Sequence, residues 1–180
     1  MSLQTWGETL ISAQVDGTAV NTTAAATTIL PPAAKFTLPA NFFSIGKVLR
    51  VTANGRISTT TGPPTITLDL RFGSTVVFNG AAVTTVASLT NKSWELMALL
   101  TCRAIGTSAN LIGVGKFTSS IVVGSTGGNA NTAVLPDSAP AVGSNFDSTL
   151  AQIVDLFATW SASSASNSIQ LHGYTLEALN

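Results

Sequence analysis

The side chains in this 180-residue chain that do chemistry near neutral pH are few: one histidine, His172 in "IQLHGYTLE", and one cysteine, Cys102 in "LLTCRA". A general base or a metal site needs converging partners, and no His, Cys or carboxylate stands at ligand spacing from His172, which reads as a structural or solvent-facing imidazole. A serine hydrolase would need this imidazole as its base, and no G-x-S-x-G occurs. The carboxylates Glu8, Asp16, Asp69, Glu95, Asp137, Asp147, Asp155 and Glu177 are spread along the chain. Strand pairing brings distant acids together, as a glycosidase requires, but the linear order selects no pair and they read as solvated surface acids. "GVGKFTSS", Gly113 to Ser120, lacks the G-x-x-x-x-G-K-[ST] spacing of a phosphate loop and leads into no helix. The sequons at Asn21 and Asn91 are what a Thr-rich chain yields by chance. The expectation is a protein that is not an enzyme and holds no cofactor or metal.

Composition narrows the alternatives. Charged residues make up 9% of the chain, against a usual share of about 25%. Eight basic and eight acidic residues cancel, and the bases stand singly, so no basic stripe exists for nucleic acid. Near-zero net charge leaves little repulsion between copies and permits assembly. A single cysteine excludes an intrachain disulfide, and Cys102, sharing a face with Trp94, Leu96, Ala98 and Leu100, reads as a small core residue. The start "MSLQTWGETL" has neither the basic nor the apolar region of a Sec signal, and apolar runs such as "LMALL" fall far short of the ~20 residues of a membrane span. The expectation is a soluble protein made in the cytoplasm, without membrane partners.

The elements that must carry these residues are strands. In "TGPPTITLDLRFGSTVVFNG", Ile66, Leu68, Leu70 and Phe72 alternate with Thr67, Asp69 and Arg71, the period of a half-buried strand. Gly73-Ser74 turns the chain into "TVVFN", which ends at Asn79-Gly80. "GKVLRVTANGRIST" predicts a second hairpin, with strand Lys47–Ala53, a turn at Asn54-Gly55 and a return from Arg56 to Thr60. Further strands are expected over Thr9–Val15, Ala19–Thr22, Lys35–Leu38, Ser93–Ile105, Leu111–Val123, Gln152–Trp160 and Ser168–Leu179. Local propensity in "SWELMALLTCRA" and "DSTLAQIVDLFATW" also favours helix, but their ends continue the period of two. Nine or ten strands at hairpin spacing predict an all-β antiparallel sandwich or barrel in one compact unit, with residues 1–34 as an N-terminal strand and extended arm and 35–180 as the sandwich. Gly124 to Phe146, rich in Gly, Asn, Ser and Pro, reads as one long loop.

One strand is apolar on both faces. Opposite Trp94, Leu96 and Leu100 stand Glu95, Met97, Leu99, Thr101 and Arg103. An isolated sandwich carries few Met or Leu on its outward face. Either a loop or second layer covers Met97 and Leu99, or another subunit does.

The order "LPANFFSIGKVLRVTANGRIST", "ITLDLRFGSTVVFNG", "NKSWELMALLTCRAIG", "FDSTLAQIVDLFATWS" and "SIQLHGYTLEALN" resembles virion structural proteins of tailed bacteriophages, of the jelly-roll or TNF-like type that decorates capsids or caps tails. The resemblance runs from about Trp6 to Asn180 and includes no catalytic signature. It implies a homotrimer located in the virion, on the capsid surface, where it binds the major capsid protein or other virion proteins as a cement. Contacts would come from the arm and from Gly127, Gly128, Asn129, Asn131, Pro136 and Asp137 of the long loop. An alternative is a receptor- or carbohydrate-binding module at a tail tip or fibre, with Trp6, Trp94, Trp160 or Tyr174 stacking on a sugar.

Overall fold

The computed structural model describes residues 7–62, 64–123, 130–137 and 141–179. Thirteen strands lie among them: β1 (Gly7–Ser12), β2 (Val20–Asn21), β3 (Thr27–Thr28), β4 (Thr37–Leu38), β5 (Val48–Ser58), β6 (Thr65–Phe72), β7 (Thr75–Thr84), β8 (Lys92–Ala104), β9 (Ala109–Ser119), β10 (Thr132–Leu135), β11 (Ala141–Phe146), β12 (Gln152–Trp160) and β13 (Ser168–Leu179). A short 3-10 turn, Pro32–Ala34, is the one helical element among the described residues. Both segments with helical propensity form strands, β8 alternating buried and exposed positions and β12 alternating buried and half-buried ones from Leu156 onward, and each packs between neighbouring strands.

All pairings are antiparallel, and they make two sheets. The larger, sheet I, runs β1-β13-β5-β8-β9-β10, with β11 also on β9 and β2 on β13. The smaller, sheet II, runs β3-β12-β6-β7, with β4 also on β12. Setting aside the extension β9 to β11 and the two-residue β2, and taking β3 and β4 as one interrupted strand, leaves eight strands in the order first-eighth-third-sixth and second-seventh-fourth-fifth. That order is a jelly roll, in which successive strands cross between two packed sheets.

The core lies between the sheets. Sheet I turns Leu49, Val51, Trp94, Leu96, Leu100, Phe117, Leu171 and Leu176 inward, against Ile66, Leu70, Phe72, Phe78, Leu156 and Trp160 of sheet II. Cys102 is buried among them, and burial pushes its thiol up from the usual range, which disfavours the reactive thiolate. Gly113 and Gly115 also face inward. A Cβ on either would meet the Phe78 ring, at 2.5 and 3.0 Å, so the glycines of "GVGKF" make room for an aromatic side chain and bind no phosphate.

Three local expectations are corrected. Asn54-Gly55 is no turn: β5 continues through it, because β13 comes so close that a Cβ on Gly55 would lie 1.9 Å from the Gln170 carbonyl oxygen. Asn79-Gly80 does not end its strand either. β7 runs on to Thr84 with a register shift opposite Thr67 and Asp69, and Ala81 takes a positive φ of 58° there. The segment read as a long loop contains β10 and β11, both paired to β9. By contrast Gly73-Ser74 is the tight turn expected, closed by the Phe72–Thr75 pair, with Gly73 at φ 58°. In the arm, β1 lines the edge of sheet I, and β2 and β3 each pair over two residues with β13 and β12.

Candidate functional site

The two outer faces differ. On sheet II, register brings Asp69 and Asp155 onto neighbouring strands, as a glycosidase pair would need, but each carboxylate is already matched by a cation. Arg71 bridges Asp69 at 2.6 Å and lies over the Phe157 ring, while Lys35 bridges Asp155 at 2.6 Å. Thr28 of the arm donates a hydrogen bond to Asp155 at 2.6 Å. These acids fasten the arm and the strands together.

On sheet I, side chains of one parity from β5, β8, β9 and β10 share the outer face, and cross-strand register sets their neighbours. Glu177, Arg50, Leu99 and Val114 form one row; Thr175, Thr52, Met97, Lys116 and Val134 form the next. Met97 is 44% exposed, Leu99 40%, Val114 53% and Val134 56%. Among the described residues no segment covers them. Arg50 closes one side of this apolar patch with two bonds to Glu177, Nε to Oε2 at 2.7 Å and Nη2 to Oε1 at 2.9 Å. The guanidinium holds the Glu177 carboxyl below its ordinary range, so the pair is intact at neutral pH and is lost as acid titrates Glu177.

The same face continues into a polar groove of ≈ 1120 Å³ at the Trp94 end of β8. A bulge shapes it. Leu171 pairs with Gly55 and Gly173 with Asn54, leaving His172 as the extra residue of β13, turned outward at the rim. Its Nδ1 lies 2.9 Å from Asp16 Oδ1. Below, the buried Trp94 indole donates to the carbonyls of Arg56 and Gln170, both at 3.2 Å, filling the space under the bulge. Arg56 Nη1 donates to Ser93 Oγ at 3.0 Å. Asn131 enters from the far side in a left-handed conformation, φ 59°, its carbonyl accepting from Ser119 N at 2.8 Å. Among the described residues no hydroxyl bonds the remaining imidazole nitrogen, so the His172–Asp16 pair faces no primed nucleophile.

The residues singled out in the sequence separate accordingly. Met97 and Leu99 are exposed side by side, and Asn131 lines the groove. Pro136 and Asp137 follow β10, half-buried and exposed. Gly127, Gly128, Asn129 and Trp6 lie outside the described residues. Trp94, Trp160 and Tyr174 are buried and offer no sugar platform. Sequence reasoning missed Val114 and Val134, and also Asn54, Arg56 and Glu95. The alternation of "IGVGK" would have placed Val114 outward, but only register puts it beside Leu99.

No family model matches the chain, and no curated protein matches it. Among solved structures, the CBM2 module of the evolved Dit of Lactobacillus casei BL23 phage J-1 overlaps it with a TM-score of 0.40 at 10% identity, covering 99% of this chain and 98% of that one. Peanut lectin with a nine-residue peptide overlaps with a TM-score of 0.36 at 7% identity, covering 98% and 99%. The jelly-roll assignment rests on the strand pairing of the chain itself.

Proposed function

We propose that this is a non-enzymatic virion structural protein that assembles through the outer face of sheet I, as a homotrimer that cements a phage head. One observation carries the reading: four large apolar side chains on three adjacent strands, Met97, Leu99, Val114 and Val134, are each 40% exposed or more. Scattered single apolars are ordinary, whereas four gathered on one face around Lys116 fit a protein–protein contact. A second copy of the chain is the occupant proposed, because zero net charge sets no long-range repulsion between copies. The sequence resemblance to phage virion proteins supports the setting. Leu99→Asp tests it: sedimentation should show the variant as a folded monomer where the parent chain is an oligomer. Loss of β-structure, or an unchanged oligomer, would contradict the reading.

The polar groove favours a second reading, a receptor- or carbohydrate-binding module at a tail tip or fibre. Its support is a concave, hydrogen-bonding site on the same face, walled by His172 and Asn131.

A further inference from the structure

The chemistry of that groove selects among ligands, and this inference rests on the second reading above. An anionic ligand needs an excess of cations, yet the lining carries one guanidinium, Arg56, and one carboxylate, Glu95. An extended peptide adding as a strand needs a free edge, and β5 and β8 are each paired on both sides there, while the far side of β13 beside the bulge is met by Ala13 and Gly17, whose amides donate to the Tyr174 and Leu171 carbonyls at 2.9 Å. A wholly apolar ligand would leave the side chains of Asn54, Arg56, Glu95, Thr118 and Asn131 without partners. What remains is a ligand that both donates and accepts at many points.

The lining matches that pattern. Asn54 and Asn131 each donate and accept, Glu95 only accepts, Arg56 only donates, and Ser93 and Thr118 do either. Several of these groups are held before anything binds. Arg56 is fixed by Ser93, His172 by Asp16, and the Asn131 backbone by Ser119. Glu95 has no ion-pair partner among the described residues, so its carboxylate is available to hydroxyl donors.

We infer that the groove binds a neutral oligosaccharide, with vicinal hydroxyls bridging Asn54, Glu95, Asn131 and His172. No exposed aromatic ring adds stacking energy in the described groove, so each site is weak, and copies held together through the apolar patch supply avidity.

The test is a titration of the ¹⁵N-labelled chain with maltohexaose, cellohexaose and the N-acetylglucosamine hexamer, alongside a heparin hexasaccharide, read by chemical-shift change. At least one neutral hexasaccharide should shift the amides around Asn54, Glu95, Asn131 and His172. Glu95→Ala and Asn131→Gly, both at exposed positions and the second keeping the left-handed backbone, should each weaken that binding fivefold or more without altering the rest of the spectrum. Shifts in the groove with heparin alone would overturn the neutral class while keeping a carbohydrate site there. Shifts elsewhere on the surface, or none with any of the four sugars, would overturn both the inference and the carbohydrate reading, and would leave the assembly reading to its own sedimentation test.

Discussion

Tyr174 shows how much a single residue tells about this core. Its ring is buried between the sheets, and its hydroxyl has no hydrogen-bond partner among the described residues. Burial, with the Asp155 charge adding to it, pushes the phenol's ionisation up from its ordinary value near 10. The unfolded chain therefore loses this proton first. The contribution to stability is fully present below about pH 10 and is lost as pH rises from there towards the folded value. Tyr174→Phe should flatten the alkaline limb of the stability profile and, by removing a hydroxyl without a partner, leave the protein unchanged or more stable by about 1 kcal/mol at neutral pH. Urea unfolding of both proteins between pH 7 and 11, at one protein concentration, checks this. A destabilised variant with the parent's alkaline limb would contradict it.

At the scale of the element, the alternation of apolar and polar residues was readable wherever a strand lies half-buried. Gln152–Trp160 and Ser168–Leu179 have the bounds expected from pattern alone, and Lys92–Ala104 lies within one residue of its expectation. Where expectation failed, local turn chemistry lost to tertiary pairing. Asn54-Gly55 has the composition of a hairpin turn, yet β5 gains a full ladder on both sides by running straight through it. Gly55 serves close approach instead, and Gly55→Ala should cost on the order of 1–3 kcal/mol as β5 and β13 are forced apart. Chemical denaturation at fixed protein concentration reads that cost, and an unmoved midpoint would contradict it. β10 was unreadable for a related reason, since four residues of Thr132–Leu135 become a strand only by pairing with β9. The groove was hidden in the same way. Its residues come from β5, β8, β9, β13 and the turn before β10, and nothing in their spacing announces that register will gather them.

Taken as a whole molecule, the jelly roll is asymmetric in how it treats its outer surfaces. Sheet II is clamped by Lys35, Asp155, Arg71 and Asp69, whereas sheet I presents an apolar patch and a polar groove side by side. On the proposed reading that division puts assembly and ligand contact on one face, so copies joined at the patch would bring their grooves close together. The direct measurement is electron cryomicroscopy of the assembled protein, free or on the virion, at a resolution that shows side chains. The account predicts Met97, Leu99, Val114 and Val134 packed against a neighbouring copy; finding those four residues facing solvent in the assembly would contradict it.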